Sequence, residues 1–73
     1  MSKRLTAIIQ AGPPGYVALC PEIDVASQGD TIEQAVANLR EAIELFYECA
    51  SPEEIAAREH GDLFITQLEV SVG

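Results

Sequence analysis

Residues 16–47 read YVALCPEIDVASQGDTIEQAVANLREAIELFY, and the pattern period changes inside that stretch, at Gly29-Asp30-Thr31. Before the change, short runs of Val, Ile and Tyr suit strands. After it, Ile32, Val36, Leu39, Ile43 and Phe46 recur at helical spacing. Thr31 with Gln34, and Asp30 with Glu33, form two overlapping capping boxes. In each, a short oxygen accepts from the first helical turn and the longer side chain reaches back. Gly29 lets the chain turn sharply just before. A strand, a turn and a helix from about Ile32 to about Cys49 are therefore expected.

The helix has two unlike faces. Ile32, Ala35, Val36, Leu39, Ala42, Ile43, Phe46 and Tyr47 form an apolar stripe. Glu33, Ala37, Arg40, Glu41, Glu44 and Glu48 lie opposite, with Arg40 and Glu44 at the i,i+4 spacing of a weak ion pair. Asn38, Leu45 and Cys49 fall on a flank between the two, and Leu45 there is a candidate contact residue.

On the N-terminal side, Leu5 to Ala11 reads as a first strand and Tyr16 to Cys20 as a second. Gly12-Pro13-Pro14-Gly15 is the hairpin loop between them. Val17 and Leu19 share one face of the second strand; Tyr16, Ala18 and Cys20 share the other. Pro21-Glu22 interrupts the ladder, because proline has no N–H to donate. Asp24 to Gln28 is a short third strand.

On the C-terminal side, Ser51-Pro52-Glu53-Glu54 starts a second helix, with Ser51 as cap, Pro52 at the first helical position and Glu54 closing a box. It is expected to run from Pro52 to Glu59 and to stop near His60-Gly61, where His60 complements the helix dipole. Leu63 to Val72 reads as a last strand, with Phe64, Leu68, Val70 and Val72 on one side. The order β-β-β-α-α-β implies an α+β fold. A small antiparallel sheet would have helices on one face, in a single domain spanning residues 1–73. The other sheet face and one sheet edge would be open, which favours self-association.

Composition narrows the function. The chain has 73 residues, and 48% of them are hydrophobic. Ordering a chain costs roughly 1.5 kcal/mol per residue, and a small core only about balances that cost. Some of the apolar material should therefore be buried against another chain. Twelve acids against 4 bases give a net charge of −8. That balance disfavours a nucleic-acid backbone as partner and suits a basic protein. No run approaches a membrane span and the start lacks a signal-peptide pattern, so the cytoplasm is expected.

Candidate chemistry is sparse. Cys20 and Cys49 lack metal-site spacing and read as small buried hydrophobes. Cys20 with His60 can be written as a nucleophile and base, but nothing in the pattern requires it. Glu22, Asp24, Asp30 and Glu69 sit in or beside strands, where two-metal nucleases place acidic ligands. The Gly12-Pro13-Pro14-Gly15 loop cannot cradle phosphate, since its prolines remove N–H donors. No cofactor and no metal is expected.

Several fragments together carry a resemblance. Gly15-Tyr16-Val17-Ala18-Leu19-Cys20-Pro21-Glu22, Ser27-Gln28-Gly29-Asp30-Thr31, Ala35, Asn38-Leu39-Arg40-Glu41-Ala42 and Leu45, and the closing Ile65-Thr66-Gln67-Leu68-Glu69-Val70-Ser71-Val72-Gly73 resemble the HicB antitoxin family. The likeness is to its short single-domain members, formerly an uncharacterised protein family. It implies a degenerate ribonuclease H-like fold, no catalytic residues and no enzymatic activity. The implied role is an antitoxin of a type II toxin–antitoxin system. Such a protein binds a small basic HicA-type toxin that cleaves messenger RNA, masks its working surface, and forms dimers or tetramers. Longer members add a C-terminal DNA-binding domain; none is expected here, so direct DNA binding is not expected either. The expected partner surface is Tyr16, Pro21, Glu22, Ile23 and Asp24, where a rigid bend presents an aromatic and two acids, with Asp30 and Glu33 as possible additions. Packing within the strand competes for Tyr16. The alternatives are a small metal-dependent nuclease using the carboxylates, and a non-enzymatic oligomeric scaffold or ligand-binding protein.

Overall fold

A computed structural model describes residues 3–59 and 61–73. Three strands, β1 (Ile8–Gly12), β2 (Gly15–Cys20) and β3 (Val25–Gly29), form an antiparallel meander in the order β1-β2-β3. Two helices follow, α1 (Ile32–Cys49) and α2 (Pro52–Arg58). The architecture is α+β, as the change of period at Gly29 implies.

Registers fix the two faces of the sheet. Ile8 pairs with Leu19, Gln10 with Val17, Leu19 with Ala26, and Val17 with Gln28, so these residues share one face. Val17, Leu19 and Ile8 are exposed there. The other face carries Tyr16, Ala18 and Cys20 opposite α1. Ala18 and Cys20 are fully buried, together with Ile23, Ala35 and Leu39. This core is thin and built largely from small side chains, so helix and sheet approach closely. Gly29 shows how closely: a Cβ added there would lie 2.6 Å from the Ala35 nitrogen. A Cβ on Gly15 would in turn sit 2.4 Å from the Gly29 carbonyl oxygen. Both glycines are needed for lack of room.

Helix α1 starts where the sequence places it. Thr31 is the N-cap and its Oγ1 accepts from the Gln34 N–H at 3.0 Å. The Gln34 side chain reaches back one residue further than expected, accepting from the Asp30 N–H at 2.7 Å. Asn38 Nδ2 donates to the Gln28 carbonyl at 2.8 Å and ties the helix to β3. Ala35 and Leu39 are buried; Val36, Ala42, Ile43, Phe46 and Tyr47 are half-buried. Ile32 departs from the expected core stripe and is 47% exposed, because the first turn overhangs the end of β3. Cys49 is also exposed, and not the buried hydrophobe expected, since it shares the solvent-facing flank of Leu45. Cys20 is buried as expected. The Ser51–Glu54 box at the start of α2 forms in both directions. The expected helix end at His60 lies outside the described residues.

Two strand expectations are corrected. β1 begins at Ile8 and not at Leu5, because its partner strand stops at Cys20 and residues 21–24 turn away. The last strand, expected over Leu63 to Val72, is not part of this sheet. Residues 62–73 have no strand pairing within the chain, and their side chains are exposed. Alternating apolar residues fit the segment for a ladder but do not supply a neighbour.

Candidate interaction surfaces

The turn joining β2 to β3 (residues 21–24) is held from two sides. On one side, the Thr6 backbone N–H and Oγ1 both donate to Glu22 Oε2, at 2.9 and 2.7 Å. The Cys20 thiol donates to Glu22 Oε1 at 3.5 Å. Burial pushes the Glu22 carboxyl up, but the hydrogen bonds from Thr6 and the backbone outweigh it, and its pKa is lowered. On the other side, Arg58 Nη1 donates to the Ile23 carbonyl at 2.9 Å and to the Asp24 carbonyl at 3.2 Å. Its guanidinium also lies 5.5 Å from the Phe46 ring centre. Asp24 adopts the left-handed region with φ 54°, which a short polar side chain tolerates best after glycine.

Beside this turn lies a second group of contacts. Lys3 pairs with Glu59 and stands 4.8 Å from the Tyr47 ring centre, and the Tyr47 hydroxyl donates to Glu59 at 2.8 Å. The bond to Glu59 raises the Lys3 pKa, and the bond from Lys3 lowers that of Glu59. Burial and then the bond to Glu59 raise the Tyr47 phenol. The segment before β1, the end of α1 and the end of α2 thus meet at one place.

The expected partner residues fare differently. Ile23 is corrected: it is fully buried at the centre of the core and offers no side chain to a partner. Tyr16 is half-buried and packs against the same core. Pro21 is half-buried at the bend, and Glu22 is engaged by Thr6. Asp24 is exposed at the tip of the turn. The bend is hydrogen-bonded from both sides, but its apolar residue Ile23 points inward. The residues that hold it, Thr6 and Arg58, are 16 and 35 positions away from their partners, and no local pattern announces them.

The carboxylates do not converge. Glu22 and Asp24 lie before β3, Asp30 follows it, and Glu69 stands in the exposed last segment. Among the described residues, no three His, Cys, Asp or Glu side chains come together in a group able to hold a metal ion. Cys20 is buried, and burial followed by the bond to Glu22 raises its thiol pKa, which works against a thiolate nucleophile. His60, written as its base, lies outside the described residues. No helix among the described residues is long and apolar enough to cross a membrane.

Two surfaces remain. Of the chain's twelve acids, only Glu22 is not exposed. Glu33, Glu41 and Glu48 run down the outer face of α1, with Leu45 exposed beside them at 59%, and Glu44 lies where that face meets the groove. Glu53 and Glu54 continue the acidic surface at the start of α2. The other surface is a groove of about 720 Å³ between α1 and the segment preceding β1. Its apolar wall is Leu5, Ala7, Val36, Leu39 and Ile43, and three of the four bases, Lys3, Arg4 and Arg40, line it.

Comparison with known proteins gives two relatives, both from Synechocystis sp. The UPF0150 protein ssl0738 is 54% identical over 50 residues, covering 66% of this chain and 69% of that protein. The UPF0150 protein ssr1765 is 41% identical over 59 residues, covering 80% of this chain and 73% of that protein. No family model matches the chain, and no solved structure matches it.

Proposed function

The chain belongs to the UPF0150 family, and from that premise we propose that it is a non-enzymatic binding protein that neutralises a small basic partner. The specific reading is an antitoxin that masks a HicA-type RNA-cleaving toxin, the role implied by the resemblance to HicB antitoxins. One observation carries it: the uneven placement of charge. Lys3 and Arg58 are engaged within the chain, Arg4 and Arg40 line the groove, and nearly every carboxylate is exposed. A basic partner approaching α1 from outside meets Glu33, Glu41 and Glu48 with Leu45 among them, an apolar contact inside an acidic field. Complementary charge of this kind speeds association and rejects wrong partners.

The test is co-expression with a small basic HicA-type toxin. Rescue of growth and co-purification are expected. The pair Glu41→Lys and Glu48→Lys should weaken the complex by roughly tenfold or more and reduce its dependence on salt. Asp24→Lys tests the exposed acid of the turn and separates the turn from the helix as the contact surface. Failure of rescue and of co-purification would reject the reading.

A further inference from the structure

The segment Leu63–Gly73 and the groove beside β1 are complementary. The segment is extended and carries Phe64, Leu68, Val70 and Val72 on one side, with Phe64 and Val72 each 87% exposed and Leu68 76%. It makes no ladder with its own sheet, although β1 keeps a free edge. Helix α1 packs over β3 and β2 and barely reaches β1, so the helix side of that edge is uncovered. The apolar groove adjoins that edge at its N-terminal end, between α1 and the segment preceding β1, walled by Leu5, Ala7, Val36 and Ile43. Its lining carries three bases, Lys3, Arg4 and Arg40, against one acid, Glu44, whereas the one charged residue of the segment is the acid Glu69.

We propose that residues 63–72 of one chain lie as a fourth strand along the free edge of β1 in a second copy, with the exchange made in both directions. An edge strand presents unpaired N–H and C=O groups that another extended segment can satisfy. Alternation places Phe64, Leu68, Val70 and Val72 toward the groove. Ile65 then falls on the opposite face, beside the exposed Ile8 and Leu19. The occupant is a second copy because the segment projects away from its own body while its own groove stays open. The molecule measures 48 × 29 × 19 Å, and its radius of gyration is 14.3 Å, where a compact chain of this length has about 11 Å. Reciprocal exchange gives a closed two-fold dimer, in which each partner satisfies the other's edge. A basic protein is a poor occupant for this groove, so the contact is distinct from the acidic face of α1 and does not rest on the proposed function.

Sedimentation velocity and hydrogen exchange on the full chain test the proposal. A dimer is expected, with amides of residues 64–72 and 8–12 becoming protected as protein concentration rises. Leu68→Asp combined with Val70→Asp should raise the dimer dissociation constant by roughly a hundredfold or more, through the penalty of burying unpaired carboxylates. The helical circular-dichroism signal should be retained. Val36→Glu, which spoils the groove, should do the same. Mixing the two variants leaves one intact segment and one intact groove, so heterodimers should appear that neither variant forms as a homodimer. A segment docked on its own chain would be protected at every concentration in a monomer, and mixing would restore nothing. That result, an unprotected segment, or a dimer indifferent to Leu68 and Val70 would each overturn the proposal.

Discussion

The sequence offers the turn at residues 21–24 as a partner surface and residues 63–72 as the last strand of the sheet, and the structure treats the two in opposite ways. The turn is saturated: Glu22 accepts from Thr6, Arg58 grips two of its carbonyls, and Ile23 fills the core. The segment is unsatisfied, with large apolar side chains in solvent and no ladder within its chain. A polar, proline-bent turn thus contributes to folding, and an alternating strand-like run is left without a strand partner among the described residues. The small core sharpens the contrast. Among the described residues five hydrophobic side chains are buried, while the last segment alone displays six large ones.

Substitutions can break this comparison, beginning with the largest effect. Leu39→Ala removes the main helical contribution to the core and should cost about 2–5 kcal/mol in urea denaturation. A loss well below that range would mean the core is less decisive than it looks. Gly29→Ala forces a methyl group against the Ala35 nitrogen and should cost about 1–3 kcal/mol, with melting temperature as the readout.

Glu22→Gln should cost about 1–3 kcal/mol by weakening a charged hydrogen-bond acceptor, and it carries a pH signature. The folded pKa of Glu22 is lowered from 4.5. Its stabilisation is therefore fully present above the unfolded value and is lost as pH falls through the folded one. The wild type should lose stability more steeply than Glu22→Gln below the ordinary carboxylate pKa. Parallel acid-denaturation profiles would show that Glu22 holds nothing. The smallest effect belongs to the other region. In a monomeric sample, Leu68→Asp should change unfolding stability by no more than about 0.5 kcal/mol. A loss as large as that of Leu39→Ala would place the segment in its own chain's core.

How much was legible in the sequence follows the range of the interactions. Thr31, Ser51 and Glu54 act within one helical turn, so both helix starts could be read directly. The alternation of β2 predicted its faces, since pleating is local. Lys3 with Glu59, and Thr6 with Glu22, join distant positions and leave no trace in spacing. The shortening of β1 follows from the length of its partner, and the fate of the last strand depends on a neighbour, so neither was visible in those residues alone. Ile23 was misjudged because a residue beside a proline in an acidic turn looks like surface, whereas the bend drives it inward.

Helix α2 contains no buried residue. Its attachment relies on Arg58, which reaches two carbonyls and lies over the Phe46 ring, and, just beyond it, on Glu59 meeting Lys3 and Tyr47. A mooring of that kind yields to ions sooner than an oily joint does, because dissolved salt competes for exposed charges and leaves packed methyl groups untouched. Rising ionic strength should therefore cast α2 adrift before it disturbs α1 or the meander, and everything downstream of α2 would swing with it.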